Sequence, residues 1–262
     1  MDGELSFLDV GAGASRRSIA VRERHGSAPG LFWLGGFKSD MRGTKAEALA
    51  DYAARSGRAY VRFDYSGHGE SAGPFEDGTI SRWLEEARAV FDDRARGPQI
   101  VVGSSMGGWL ALLLARAIAQ RPMPGAKLAG LVLIAPAPDF TEELMWAEFA
   151  PEVRREIEEK GSWLRPSAYG EDPYPITRAL IEDGRKHLLL DKPIEVGCPV
   201  RILQGVKDPD VPYVHAMKLT SCLAQDDVVL TLVKDGDHRL SRPEDIERLV
   251  RTIDELVGAT EI

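Results

Sequence analysis

The order of its apolar runs constrains this chain most. Short aliphatic runs alternate with longer amphipathic stretches along almost the whole sequence, the pattern of a parallel sheet covered by helices on both faces. The run Arg17–Arg24 alternates apolar and polar residues, as a strand near the sheet edge with one wetted face does. The runs Leu31–Leu34, Ala59–Phe63, Ile100–Val102, Leu131–Ile134, Val200–Leu203 and Val228–Val233 are denser in apolar residues and suit interior strands. Helical spacing lies between them, near 44–56, 79–95, 106–120, 212–223 and 243–257. The last of these sets Ile246, Leu249, Val250, Ile253, Leu256 and Val257 three and four apart, which gives it one face to pack on the sheet. With 262 residues, 44% of them hydrophobic, the chain has room for one large α/β domain or two small ones, and disorder is excluded as its main state.

Between Pro136 and Pro199 the alternation fails. Prolines, tryptophans, tyrosines and the charged run Pro151–Lys160 arrive there without a clear strand. Residues 137–198 therefore read as an insertion into a core domain made of 1–136 and 199–262. Its place in the order of strands suggests a cap over their carboxyl ends, where open α/β sheets bind ligands. The run PEVRREIEEK reads as a solvated helix face rather than a binding patch.

Charge and cysteine content exclude several functions. The formal charge of −8 repels a polyanion, which argues against a nucleic-acid partner. Cys198 and Cys222 are the two cysteines, with no CxxC and no neighbouring histidine cluster, so neither a disulfide framework nor a structural zinc site is expected. The opening MDGELSFLDVGAGASRR has neither the cations nor the apolar centre of a signal peptide, and no run approaches the roughly 18 apolar residues of a membrane span. The expectation is a soluble protein of a reducing, intracellular compartment.

Two segments match the nucleophile pattern GxSxG, Gly69–Gly73 and Gly103–Gly107. The second has a strand-like run, Gln99–Val102, leading into it and an apolar helical run, Trp109–Ala119, just after it. That is the strand, sharp turn and helix an exposed serine requires. In the first, loop residues separate strand from serine and Gly-Pro follows. Ser105 would thus project into a cleft at a helix start, where the Met106 N–H can receive an oxyanion. The alternative is a plain helix N-cap in a glycine-rich loop.

A serine hydroxyl needs a base to take its proton. Of His25, His68, His187, His215 and His238, the last is best placed, in the loop directly after the final strand. An acid must orient the imidazole, and Asp208 follows the run VRILQ in the loop GVKDPDVP. Asp210 is a near competitor and Asp139 a more distant one, while Asp237 is excluded because its neighbour's side chain points the other way. The order Ser105, Asp208, His238 is that of nucleophile, acid and base in nucleophile-elbow hydrolases. The loop LFWLGGFKSDM, with Gly35 and Gly36 permitting a turn, offers the Phe37 N–H as second oxyanion donor.

Taken together, GGFKSDM with GTKA, RFDYSGHGES, GPQIVVGSSMGGWL, CPVRILQGVKDPDVP and DHR resemble the α/β-hydrolase superfamily from about Leu31 to Leu256. Within it they resemble the abhydrolase-domain branch typified by a mitochondrial palmitoyl-protein thioesterase that is also a mycophenolic acid acyl-glucuronide esterase. The resemblance implies an α/β-hydrolase fold: a mostly parallel eight-stranded sheet flanked by helices, with a helical cap inserted after strand 6. It also implies Ser105 as nucleophile, Asp208 as acid, His238 as base, and Phe37 and Met106 as oxyanion donors. The activity expected is hydrolysis of carboxylic esters or thioesters through an acyl-enzyme, on a small molecule or an acylated protein, with no metal or organic cofactor. A cofactor-free haloperoxidase or perhydrolase using the same triad, and a non-catalytic binding protein of this fold, stand as alternatives. Trp146, Trp163, Tyr169 and Tyr174 are candidates for an acyl pocket. Lys38, Lys207 and Arg239 adjoin the catalytic motifs and could meet an anionic substrate group. The branch has mitochondrial members, but the opening residues lack an Arg-rich presequence, so a cytoplasmic bacterial relative or a processed mitochondrial one is expected.

Overall fold

The computed structural model describes residues 3–122, 125–166, 173–224 and 227–260. In chain order the core begins with β1 (Glu4–Val10), β2 (Arg17–Arg24), β3 (Ser27–Leu34), α1 (Thr44–Ser56), β4 (Arg58–Phe63), α2 (Ile80–Arg94), β5 (Gly97–Ser104), α3 (Met106–Gln120) and β6 (Ala126–Ile134). The inserted segment follows, with a π-helical turn over Thr141–Trp146, α4 (Pro151–Lys160), β7 (Ser162–Arg165), β8 (Tyr174–Thr177) and α5 (Arg178–Gly184). The core resumes with β9 (Val200–Gly205), α6 (Tyr213–Cys222), β10 (Val228–Val233) and α7 (Pro243–Thr260).

Eight strands form one sheet in the order β1-β2-β4-β3-β5-β6-β9-β10. β1 and β2 run antiparallel to their neighbours and the remaining pairs are parallel, as the resemblance implies. Side-chain alternation divides the core between two faces. Val101, Leu131 and Leu133 pack under α2, α3 and α6, whereas Ile100, Val102 and Val132 pack under α1 and α7. α3 is buried almost all round through Leu110–Ala115, so it is the central helix against the sheet rather than a surface one.

Two elements depart from the sequence expectation. β1, which no sequence expectation covers, forms the outer edge, and Arg17–Arg24 lies beside it, near the edge as expected. Phe7 of β1 is 56% exposed, so the amphipathic contrast that marks a half-buried strand is weak. The insertion is not purely helical: β7 and β8 pair antiparallel, with Ser162 opposite Thr177. Four-residue strands carry too few residues for a period of two to register. The insertion rests on the core through hydrogen bonds. The Ser81 amide and hydroxyl reach Asp183 at 2.7 and 2.9 Å, and Trp109 Nε1 donates to His187 O at 3.2 Å. Among the described residues no helix is long and apolar enough to cross a membrane.

Candidate active site

The centre of the site is the turn between β5 and α3. Ser105 adopts φ 56°, ψ −118°, a conformation that costs a non-glycine residue about 1–3 kcal/mol and persists where its surroundings over-determine it. Ser105 N donates to Ile134 O at 2.9 Å, and Ser105 O accepts from Gly108 N and Ala137 N at 2.9 and 3.1 Å. The glycines are required by contact: a Cβ on Gly103 would sit 2.3 Å from Gly107 O, and one on Gly107 would sit 2.0 Å from Leu34 O. The other GxSxG serine is structural. Ser71 Oγ accepts from Ala20 N at 2.8 Å and donates to Asp64 O at 2.6 Å, tying two strands to a turn.

His238, in the loop between β10 and α7, lies with Nε2 3.1 Å from Ser105 Oγ and Nδ1 2.8 Å from Asp208 Oδ2. The Asp208 side chain is fully buried, and its other oxygen accepts from Asp210 N and Val211 N at 2.9 and 2.8 Å. Gln204, at the end of β9, donates its Nε2 to Asp208 Oδ2 at 3.1 Å. The loops that carry Asp208 and His238 are joined by Lys207 N donating to Gly236 O at 2.9 Å. Lys45 Nζ donates to Arg239 O, next to His238, and burial pushes this amine down to about 8. Oxygens of Asp208 and Asp210 and a nitrogen of His238 lie within 4.8 Å of one another, a spacing that could hold a cation. Both Asp208 oxygens already accept N–H donors, which suits an orienting carboxylate better than a metal ligand.

The competing groups have other partners. Asp139 turns its carboxylate to Leu189 N at 2.9 Å and Leu190 N at 2.8 Å, fastening the start of the insertion to its end, and burial raises its pKa. Asp237 Oδ1 accepts from Leu240 N at 3.0 Å within its own turn. His215 is buried with Nε2 2.8 Å from Pro138 O, and His187 Nε2 lies 2.7 Å from Ser81 Oγ.

The loop after β3 closes on Ser105. A Cβ on Gly36 would lie 3.4 Å from Ser105 Cβ, so the chain passes directly beside the serine. Ser39 N donates to Gly36 O at 3.2 Å and Lys38 N donates to His68 Nε2 at 3.1 Å. The Lys38 amide is thus occupied, and Phe37, the residue before it, lines the same cavity as Ser105. The Met106 N–H opens α3, and amides in a first helical turn have no intrahelical acceptor.

A cavity of about 700 Å³ opens over these groups. Ser105, Met106, Phe37 and His238 line it from the core, and Phe140, Leu144, Met145 and Tyr174 line it from the insertion. Lys38 and Arg239 are also in its wall, while Lys207 is exposed outside it. Lys38 Nζ stands 5.2 Å from the Phe75 ring centre and 5.0 Å from that of Tyr174. Trp146 and Trp163 are not part of the wall. Trp146 packs beneath the guanidinium groups of Arg154 and Arg185, and Trp163 meets the Phe149 ring at 5.4 Å, so both serve the insertion's own packing. Tyr169 lies outside the described residues. The sequence does not single out Lys45 or Gln204, and it offers His68 only as a candidate base. GTKA and GHG were visible as motif fragments, but nothing in the sequence reveals the backbone groups these side chains meet.

The profile of the alpha/beta hydrolase family matches residues 25–251. The human palmitoyl-protein thioesterase ABHD10, mitochondrial, is 40% identical over 254 residues, covering 97% of this chain and 80% of the relative. The structure of alpha/beta hydrolase domain-containing protein 10 from mouse superposes with a TM-score of 0.87 at 37% identity, covering 98% of this chain and all of that one. A protein from Agrobacterium vitis S4 assigned as a hydrolase superposes with a TM-score of 0.94 at 51% identity, covering 97% and 98% of the two chains.

Proposed function

The chain belongs to the alpha/beta hydrolase family, and we propose that it is a serine hydrolase that cleaves carboxylic thioesters or esters through an acyl-enzyme. One observation carries this reading: the two ring nitrogens of His238 lie 3.1 Å from the Ser105 hydroxyl and 2.8 Å from the Asp208 carboxylate. Neutral His238 removes the Ser105 proton as Oγ bonds to the substrate carbonyl carbon, and the oxyanion so formed accepts from the Phe37 and Met106 amides. His238 then protonates the leaving thiolate or alkoxide as its bond to carbon breaks. Water, deprotonated by the same imidazole, attacks the ester of Ser105, and the imidazolium returns that proton to Ser105 Oγ as its bond to carbon breaks and the carboxylic acid leaves. Asp208 holds the tautomer with Nδ1 protonated and stabilises the imidazolium.

Residues 137–198 act as a cap in this reading, a role supported by the four side chains they contribute to the cavity wall. An acyl group is supported by the apolar Phe37, Phe140, Leu144 and Met145 and by a volume within the roughly 300–1,000 Å³ range of small-molecule sites. Preference for a thioester is supported by the name of the mammalian relatives, palmitoyl-protein thioesterase. Lys38 and Arg239 support a polar or anionic head near the scissile bond. The test is a series of esters, thioesters and acyl glucuronides of increasing acyl length, run beside fluorophosphonate labelling of the wild type and of Ser105→Ala. Labelling and turnover in the wild type alone are expected. Near-native turnover by the alanine variant overturns the assignment.

A further inference from the structure

His68 sits in the turn after β4 and makes no contact with Ser105, Asp208 or His238, yet its ring is only 5% exposed and both its nitrogens are engaged. Nδ1 lies 3.2 Å from Ser66 O, and Nε2 lies 3.1 Å from Lys38 N. A carbonyl oxygen can only accept and a backbone amide can only donate. The network therefore admits one state of the ring: neutral, with the proton on Nδ1 and a bare Nε2 that accepts from the loop after β3.

We propose that His68 is a positioning residue of the oxyanion loop: its Nε2, by accepting from Lys38 N, sets the peptide next to Phe37 so that the Phe37 N–H faces the oxyanion on Ser105. Three further observations support this. Lys38 has φ +57°, uncommon for a non-glycine residue, in the turn closed by Ser39 N and Gly36 O, and the hydrogen bond to His68 falls on this residue's own amide. The same loop is pinned again three residues on, where Met41 N donates to Asp64 Oδ1 at 2.6 Å, so its course after Phe37 is held at two points. The ring itself is boxed by Tyr65, Phe75 and Trp83 at centroid distances of 5.8, 5.3 and 5.4 Å, and Trp83 Nε1 donates to the same Ser66 carbonyl at 3.2 Å. Burial in this box pushes His68 down to about 4, so the acceptor on Nε2 persists throughout the neutral range.

The inference rests on the serine-hydrolase reading above, and the experiment separates the two. His68→Phe keeps an aromatic ring in the box and removes the acceptor. His68→Gln restores an acceptor at a similar reach. For His68→Phe, kcat should fall about 10–100-fold with KM within about twofold. The affinity for a trifluoromethyl ketone analogue of the tetrahedral intermediate should fall in step with kcat, and His68→Gln should recover most of both losses. A wild-type measurement needs no variant: a scalar coupling across the Lys38 N–H···Nε2 hydrogen bond, with imidazole 15N shifts of the Nδ1–H tautomer, is expected by NMR. The proposal is overturned if His68→Phe retains kcat within threefold, if glutamine rescues nothing, or if the coupling is absent or the other tautomer is found. A wild type that neither turns over esters nor takes up a fluorophosphonate would instead overturn the hydrolase reading.

Discussion

The rim of the sheet and the inserted segment face each other across one cavity and are held in different ways. At the rim, hydrogen bonds to backbone groups fix the proposed catalytic apparatus: Asp208 accepts from the Asp210 and Val211 amides, the Ser105 turn is held by Ile134 and Ala137, and amides of the loop after β3 donate to the His68 and Asp64 side chains. In the insertion, polar anchors such as Asp183 and Asp139 tie its base to the core or to itself. Its cavity face meets the rim through rings instead, with Phe140 and Tyr174 at 5.7 and 5.9 Å from Phe37. Hydrogen bonds to backbone specify direction, whereas ring contacts tolerate sliding. In the proposed function, chemistry that needs alignment to a fraction of an ångström falls to the first region and accommodation of differing acyl groups to the second.

That contrast can be broken in order of expected effect. Ser105→Ala should lower turnover by roughly four to six orders of magnitude while leaving the melting temperature near wild type. Asp208→Asn should lower kcat by about three to four orders by allowing the wrong His238 tautomer, measured as pre-steady-state acylation. If either variant stayed within tenfold of wild type, the rim would not be the seat of the chemistry. Gly107→Ala introduces a carbon 2.0 Å from Leu34 O and should cost about 3 kcal/mol or more, read from urea midpoints.

The pH dependence of stability gives a smaller effect at the same rim. His68 titrates near 4 in the folded chain and near 6.5 in the unfolded one. Between these values the unfolded state holds the extra proton. Stability is therefore complete above about pH 6.5 and declines by up to roughly 3 kcal/mol as pH falls toward 4. Urea midpoints at pH 7 and pH 4.5 should differ more in the wild type than in His68→Phe. The smallest effects are expected in the insertion: Trp146→Ala and Trp163→Ala, outside the cavity wall, should leave kcat/KM within about threefold. A large change in acyl preference on either substitution would mean that the insertion aligns substrate as strictly as the rim does.

Much of this was legible in sequence where the signal is local. Ser105 could be preferred to Ser71 because a strand, a tight turn and a helix follow one another directly over Gln99–Ala119. The interior strands β3, β5 and β9 were visible because burial on both faces makes them continuously apolar. Asp208 and Asp210 stand two residues apart in one loop, and chain order alone does not separate them. Folding does, by burying one carboxylate against His238 and using the other residue's amide to hold it. The hairpin of β7 and β8 stayed hidden because its strands are too short for a period, and Trp146 and Trp163 were expected in the cavity because an aromatic side chain suits a ligand wall and a small local core equally well.

By itself, then, the sequence determined the α/β architecture, the turn that displays Ser105 and the order of the residues proposed to act with it, since each depends on periodicity or on neighbours along the chain. The choice among acids, the sole accepting nitrogen of His68 and the separation of Lys38 and Tyr174 from the two tryptophans were decided only by tertiary structure. Each of those outcomes depends on a hydrogen bond or ring contact between groups tens of residues apart, and such contacts exist only once the strands have set the distance and direction between their loops.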